Sequence, residues 1–267
     1  MKTVLSSAFR TLIVALALCA VPLAQTARAD GDALAAVKQA GVLKVAVPQD
    51  FPPFGSVGPD MKPIGYDIDM AELIAQKLGV KAELVPVTST NRIPYLTTGK
   101  VDLVISSLGK NPERAAVIDF SEAYAPFFNG VFGAKDVKVA GAKDLAGKTV
   151  AVTRGAIEDM ELTKIAPESA TIKRFEDNSS TIAAYQSGQV DLVATGNVVA
   201  ASINGQNPDK PLETKFMIKN SPCYVGLAKE QPALSKEVNA IIAAAKKDGE
   251  LGKISEKWLH SPLPENL

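Results

Sequence analysis

Three arginines in this sequence, Arg92, Arg114 and Arg154, have positions that suggest recognition of an anion. Arg114 follows Asn111 and Pro112, an N-cap residue and a proline at the first helical position. A cation in the first turn of a helix opposes the macrodipole by about 0.3–1 kcal/mol. Because a planar guanidinium can bind both oxygens of a carboxylate, we predict that Arg114 holds a carboxylate of a ligand. The alternative is an exposed arginine paired with Glu113 or Asp119.

Two further arginines stand near predicted helix starts. Arg154 precedes Gly155, at a helix N-terminus that is itself suited to an anion. Arg154 either holds a second acidic group of the ligand or points to solvent. Arg92 follows Asn91 and has the same two interpretations.

Chemistry that depends on histidine or cysteine has little support. The chain has one histidine, His260, and two cysteines, Cys19 and Cys223, so His–Cys zinc sites and histidine-based triads are excluded. Asp102 and Asp191 form a matched acidic pair, but each lies early in a predicted strand, which favours a structural role. We expect no catalytic residue, no metal and no cofactor.

The N-terminus has the pattern of an export signal. Lys2 and Arg10 precede an apolar stretch, residues 12–24, and residues 27–29 give a small-x-small cleavage pattern. The apolar stretch is shorter than the roughly 20 residues of a membrane span. We therefore predict cleavage after Ala29 and a periplasmic chain that begins near Asp30.

The remaining chain is large enough for two lobes and carries little net charge. Residues 30–267 number 238, with 26 basic and 29 acidic residues, a net charge of −3. This balance offers no basic face for nucleic acid. Strand patterns, such as residues 42–47, alternate with helical ones, which predicts α/β layers with parallel strands.

An internal echo indicates that the two lobes are related. Residues 99–107, Gly-Lys-Val-Asp-Leu-Val-Ile-Ser-Ser, recur as residues 188–196, Gly-Gln-Val-Asp-Leu-Val-Ala-Thr-Gly. We predict a monomer with lobe one at residues 30–133, lobe two at 134–223, and a return to lobe one at 224–267. The crossings, expected along 127–134 and 224–229, would form a two-strand hinge.

Ligands of α/β sheets bind beyond the carboxyl ends of the strands, which here are polar or aromatic. In lobe one these ends are residues 48–51 and 106–107, and in lobe two residues 153–156 and 195–197. We predict that they line a cleft between the lobes. Phe51 is expected to form a platform for the ligand, whereas Phe54 is expected in the core.

Several motifs together resemble the polar amino-acid family of bacterial periplasmic binding proteins. The motifs are Phe51-Pro52-Pro53-Phe54, Gly65-Tyr66-Asp67-Ile68-Asp69, Gly99-Lys100-Val101-Asp102-Leu103, Asn111-Pro112-Glu113-Arg114 and Asp144-Leu145-Ala146-Gly147-Lys148. Asn91-Arg92-Ile93-Pro94 is similar to the glutamate/aspartate-binding branch. The resemblance implies a type II-like, two-lobed fold and delivery of a small solute to the membrane permease of an ABC importer.

The resemblance also implies site residues. Phe51 matches the aromatic that packs against the ligand, Arg114 matches the arginine that pairs with the ligand carboxylate, and Ser107, beside Ser106, matches a further contact to it. The second lobe contributes its two strand ends. The expected contacts there are Thr153, Arg154, Gly155, Ala156, Ile157, Gly196 and Asn197.

Two positions depart from the family pattern. Ile157 stands where a serine or threonine is usual, and Gly196 stands where an acid usually neutralises the ligand ammonium. Either another acid, with Asp177 and Glu158 the nearest by sequence, takes over that role, or the ligand carries no α-ammonium. A dehydratase-like enzyme on the same fold is the alternative function, with Glu158, Asp177 and Asp50 as possible acids or bases.

Overall fold

The computed structural model describes residues 33–206 and 211–267. The predicted export signal, residues 1–29, lies outside these ranges. The described chain contains twelve strands, β1–β12: Val42–Val47, Ser56–Val57, Pro63–Ile64, Lys81–Pro86, Leu103–Leu108, Ile118–Ala125, Phe128–Gly133, Thr149–Thr153, Thr171–Phe175, Leu192–Gly196, Glu213–Asn220 and Cys223–Ala228. It also contains nine α-helices, α1–α9: Ala33–Ala40, Tyr66–Leu78, Arg92–Thr97, Pro112–Val117, Ile157–Ile165, Asn178–Gln186, Asn197–Gln206, Pro232–Lys247 and Glu250–Leu259.

Ten of the strands form two five-stranded sheets with matching topology, and β2 pairs with β3. The first has the order β4-β1-β5-β12-β6 and the second the order β9-β8-β10-β7-β11. In each sheet three neighbouring strands are parallel, and the last two are antiparallel to their neighbours. The two-lobed α/β prediction is confirmed, but the sheets are mixed rather than wholly parallel.

The internal echo corresponds to the central strand of each sheet. β5 follows Asp102 and β10 follows Asp191. The carboxylate of Asp102 accepts a hydrogen bond from the backbone N–H of Lys44 at 2.9 Å, and Asp191 accepts one from Thr149 at 2.7 Å. Each acid therefore ties the start of the central strand to the strand beside it. The structural role predicted for this pair is confirmed.

The two connections between the sheets are short. β6 ends at Ala125 in the first sheet and β7 begins at Phe128 in the second, while β11 ends at Asn220 and β12 begins at Cys223. Residues 128–133, predicted as the end of lobe one, pair in the second sheet, and residues 224–228 lie within a first-sheet strand rather than in a crossing. The strand pattern of β7 suits either sheet, so its sequence does not reveal which sheet it joins.

Helix α2 shows how local sequence positions a buried acid. It begins at Tyr66 and ends at Leu78, and its C-cap residue Gly79 has a φ of 75°, which suits glycine. Asp67 consequently lies in the first turn with its side chain buried. Apolar residues on the same helix, such as Met70 and Ile74, are fully buried in the core.

The C-terminal part of the chain packs on the first sheet. Helix α8 contacts β6 and helices α1 and α9. Its buried face consists of the apolar residues Leu234, Val238, Ile241, Ile242 and Ala245. These positions make α8 an amphipathic helix with one buried face.

The described residues contain neither a helix suited to span a membrane nor a group of metal-binding side chains. None of the helices at 33–206 and 211–267 has both the length and the apolar composition of a membrane span. Across the same residues, no three His, Cys, Asp or Glu side chains are grouped so that they can hold a metal ion.

Candidate functional site

A small cavity lies where elements of both sheets meet. Its walls come from both lobes and from the crossings, and consist of Phe51, Ser89, Arg92, Ser107, Gly109, Arg114, Phe127, Asn129, Ala156, Ile157, Glu158, Asn178 and Ser221. The cavity volume is about 20 Å³, which is room for about one water molecule. A larger solute does not fit this cavity in the arrangement of the lobes seen here.

Arg114 reaches the cavity from the first turn of α4. Asn111 caps this helix by accepting a hydrogen bond from the Arg114 backbone N–H at 2.9 Å. The guanidinium donates to the carbonyl oxygens of Gly109 at 2.8 Å and Gly155 at 2.9 Å. Burial, with the nearby charge of Arg92, lowers the Arg114 pKa to about 9. The guanidinium's two hydrogen bonds go to neutral carbonyl acceptors, and the nearby acid Glu158 acts on its charge from the same cavity wall.

Arg92 supplies a second buried guanidinium. It donates to the carbonyl oxygen of Ser106 and to the hydroxyl of Ser89, both at 2.8 Å. Burial lowers its pKa, while the acids Glu158 and Asp67 act in the opposite direction. Arg92 lines the cavity, so the open choice between cleft and solvent is decided in favour of the cleft.

Arg154, in contrast, faces away from the cavity. Its side chain is 52% exposed and its Nε lies 3.7 Å from the Glu176 carboxylate. Gly155 beside it has a φ of 73° and lines a neighbouring, more open depression together with Arg114. Arg154 does not line the cavity, so the geometry gives no support to its predicted place in the ligand site.

Ser107 is held in an unusual backbone conformation at the end of β5. Its φ is 40°, and its N–H donates to the Asp67 carboxylate at 2.6 Å. The other carboxylate oxygen of Asp67 accepts from the Tyr124 hydroxyl at 2.6 Å. Burial raises the Asp67 pKa to about 7, although both hydrogen bonds lower it. Asp67 thereby fixes the segment that presents Ser107 to the cavity, whereas the Ser106 side chain is buried outside the lining.

Phe51 and Phe54 take different positions relative to the cavity. Phe51 lines the cavity, and Phe54 is fully buried behind it with ring centroids 6.2 Å apart. A third ring, Phe127, joins them at 6.1 Å from Phe51 and 5.4 Å from Phe54. Sequence analysis did not identify Phe127, which lies between the two sheets and has no distinctive local pattern.

The second lobe contributes the beginning of α5 to the cavity. Ala156, Ile157 and Glu158 line it. Thr153 does not, because its hydroxyl is engaged with Asn178 at 2.8 Å and Thr181 at 2.9 Å, which ties β8 to α6.

Gly196 and Asn197 also lie outside the cavity lining. A Cβ atom at Gly196 would lie 1.9 Å from the Phe127 ring, so this ring fills the space of a side chain. Asn197 accepts a hydrogen bond from the Phe128 backbone N–H at 3.0 Å. Both residues serve the packing of the crossing rather than the cavity.

Of the acids considered by sequence, only Glu158 reaches the cavity. Its carboxylate accepts a hydrogen bond from Asn129 Nδ2 at 2.8 Å, and burial raises its pKa to about 7 against the lowering effect of Arg92 and Arg114. Asp177 caps helix α6 by accepting from the Ser180 N–H at 2.8 Å. Asp50 accepts from the Asn178 N–H at 2.6 Å and so links the first lobe to the second.

Several polar atoms around the cavity lack protein partners. Among the described residues, Arg92 Nε, Asn129 Oδ1 and Ser221 Oγ are buried without a hydrogen-bond partner. Leaving a buried polar group unpaired costs about 1–3 kcal/mol. Asn129 and Ser221 were missed by sequence analysis because they flank the crossings, where no helix or strand pattern marks a ligand contact.

Fold and site together define a class of protein. Two similar α/β lobes enclose a polar cavity with two buried guanidinium groups, as expected for a receptor that closes around a small anionic or carboxylate-bearing solute. Residues 43–261 match the model of the bacterial extracellular solute-binding proteins, family 3. The chain belongs to this family, which confirms the resemblance stated from its motifs.

Relatives with known ligands support the same class. The chain is 31% identical over 233 residues to the ABC transporter glutamine-binding protein GlnH of Bacillus subtilis, covering 85% of each chain. It is 27% identical over 251 residues to a glutamate/aspartate import solute-binding protein of Salmonella typhimurium, covering 89% of this chain and 83% of that one. It is also similar to the crystal structure of the ancestral amino acid-binding protein AncCDT-1, a precursor of cyclohexadienyl dehydratase. The TM-score is 0.77 at 32% identity, over 85% of this chain and 99% of that one.

Proposed function

We propose that the protein is the periplasmic binding component of an ABC importer and captures a polar amino acid or a close carboxylate-bearing analogue. The observation that carries this proposal is the pair of buried guanidiniums, Arg92 and Arg114, on the wall of one cavity. These two cations outnumber Glu158, the one acid among the described residues of the cavity wall, and the remaining positive charge favours an anionic group on the ligand because an uncompensated buried charge is costly.

The pose follows from the groups that remain available. Arg114, with Ser107 nearby, holds the α-carboxylate, and Phe51 packs against the ligand. Arg92, rather than Arg154, binds a further anionic or polar group through its unpartnered Nε. The supporting observation is that Arg92 and Arg114 both line the cavity, whereas Arg154 is half exposed.

The proposed cycle is capture between two lobes without chemical change. We place lobe one at residues 33–126 and 222–267, and lobe two at 127–221, because the sheets exchange strands near these points. The predicted cleavage after Ala29 would release the chain into the periplasm, where the closed form would engage the permease.

The experiment that tests this function is identification of the solute. Native mass spectrometry of the protein purified from periplasm should show a bound small molecule, and calorimetry with the twenty L-amino acids should then give a saturable binding curve. Absence of binding to every amino acid and carboxylate tried would contradict the proposal.

One observation favours an enzymatic alternative, a dehydratase-like activity. Glu158 is a buried acid at the cavity with a pKa raised to about 7 by burial, which suits a general acid near neutral pH. Incubation of each bound carboxylate with the protein, followed by mass spectrometry, separates the two functions. Conversion to a product lighter by one water would favour the enzyme.

A further inference from the structure

We propose that Asn129 and Glu158 form a subsite for the ligand's α-ammonium, at a different place from the strand end where Gly196 stands. This inference rests on the proposed function, since it requires an amino-acid ligand. The subsite consists of two hydrogen-bond acceptors on the second-lobe side of the cavity, the Asn129 amide oxygen and the Glu158 carboxylate.

The orientation of Asn129 makes its oxygen available. Its Nδ2 donates to Glu158 at 2.8 Å, and the reverse orientation would place the amide oxygen against the carboxylate. Oδ1 is therefore fixed on the other side of the amide. It is buried, and no partner for it exists among the described residues. A buried acceptor at a cavity wall requires a donor from outside the protein.

A ligand ammonium can bind this acceptor pair, because the nearby arginines direct their hydrogen bonds to other acceptors. The Arg114 guanidinium donates to the carbonyl oxygens of Gly109 and Gly155, and Arg92 donates to Ser106 and Ser89. An ammonium brings three donors and one positive charge, so it can satisfy Asn129 Oδ1 and compensate Glu158 together. The Ser221 hydroxyl, unpartnered on the same cavity wall, is available as a further acceptor.

The position of the subsite follows from the packing of Phe127. Its ring occupies the space beside Gly196, so the end of β10 cannot carry an acidic side chain without displacing Phe127, which packs against Phe51 and Phe54. The nearby acids are committed elsewhere. Asp159 pairs with Arg174 at 2.8 Å and Asp177 caps α6. Glu158 is then the acid that lies on the cavity wall.

The test compares an amino acid with its deaminated counterpart. The probes are the L-amino acid that binds wild type most tightly and the same molecule with hydrogen in place of the ammonium. Their affinities are measured by calorimetry in wild type, Glu158→Gln and Asn129→Ala. The matched control is Glu168→Gln, at an exposed glutamate of the same lobe. Thermal unfolding of each variant verifies folding.

Wild type should prefer the amino acid by about 100-fold, the scale of a buried charge-assisted contact. Glu158→Gln should reduce this preference to less than about 3-fold, mainly by weakening amino-acid binding, and Asn129→Ala should reduce it by about 10-fold. Glu168→Gln should keep the wild-type preference.

Three outcomes would overturn the subsite, and they differ in what they say about the proposed function. If amino acids bind and both site variants keep the wild-type preference, the subsite is wrong and the function stands. If wild type prefers the deaminated probes, the ligand lacks the ammonium and only carboxylate capture survives. If nothing in the panel binds, the function fails as well.

Discussion

The ring of Phe127 occupies the space that a side chain at position 196 would need. A Cβ atom built on Gly196 would lie 1.9 Å from Phe127 Cζ, far inside contact distance. Phe127 also packs against Phe51 and Phe54, so it cannot move without disturbing the wall of the cavity. The absence of an acid at Gly196 is thus coupled to the aromatic cluster.

This relationship predicts that Gly196→Ala destabilises the protein. The added methyl group must displace the Phe127 ring, so we expect a loss of about 3 kcal/mol, at the upper end for overpacking. Thermal unfolding checks the result. In the Phe127→Ala background the same substitution should cost less than about 1 kcal/mol. Equal losses in both backgrounds would contradict the steric explanation.

The contrast between two arginines gives a second prediction. Arg114→Ala should weaken ligand binding by about 2–5 kcal/mol, because it removes the buried partner of the ligand carboxylate. Arg154→Ala, at a half-exposed residue paired with Glu176, should change binding by less than about 0.5 kcal/mol. Calorimetry with the co-purified solute measures both. A larger effect at Arg154 than at Arg114 would invalidate the assigned pose.

The sequence predicted the fold well where the signals are local. The apolar run at 42–47 became β1 with the same bounds, and the echo of residues 99–107 marked the matching central strands. β7 and β12 were predicted only as hinge strands and β6 and β11 were not predicted, because the antiparallel pairing of all four arises from two crossings far apart in sequence. A strand's own residues do not specify its partner across about a hundred positions.

The site, like the fold, was predicted only where its residues carry a local signal in the sequence. Phe51, Ser107 and Ala156 were found from the rule on strand ends, Arg114 from the chemistry of its guanidinium, and Ile157 from the family resemblance; all five line the cavity. Thr153, Gly196 and Asn197 follow the same rule but are used for packing. Asn129 and Ser221 lie next to the crossings and become neighbours of the ligand space only when both lobes are assembled.

The buried acid Asp67 predicts a pH dependence of stability. Its pKa is about 7 in the folded protein against an ordinary value of 3.8, so the folded state binds this proton more tightly. The associated stability is present at low pH and is lost as the pH rises from about 4 to about 7, by as much as about 4 kcal/mol. Asp67→Asn should therefore flatten this part of the stability profile.

Unfolding in urea between pH 4.5 and 8 checks this prediction. Relative to wild type, Asp67→Asn should gain stability as the pH rises, because an amide does not titrate. Asp60→Asn, at an exposed acid of the same lobe, is the control and should follow wild type. A constant difference between Asp67→Asn and wild type across this range would show that Asp67 does not titrate as inferred.

The last prediction concerns closure, which Asp50 supports from lobe one. Its carboxylate accepts hydrogen bonds from the backbone N–H groups of Asn178 at 2.6 Å and Ser179 at 3.4 Å, at the start of α6 in lobe two. These donors are unsatisfied within the helix, and the macrodipole favours a negative charge there. We therefore expect Asp50 to stabilise the closed arrangement and not the open one, because the contact between Asp50 and α6 is lost when the lobes separate.

Asp50→Ala should consequently weaken ligand binding by about 1.5–3 kcal/mol, the range for a hydrogen bond to a charged group, and should raise mainly the dissociation rate. Stopped-flow fluorescence measures the rates, and small-angle scattering should show a smaller ligand-induced decrease in the radius of gyration than in wild type. Asp119→Ala, which removes an exposed ion pair to Lys229 within lobe one, is the matched control. If Asp50→Ala and Asp119→Ala give the same dissociation rate and the same compaction as wild type, the contact between Asp50 and α6 contributes nothing to closure.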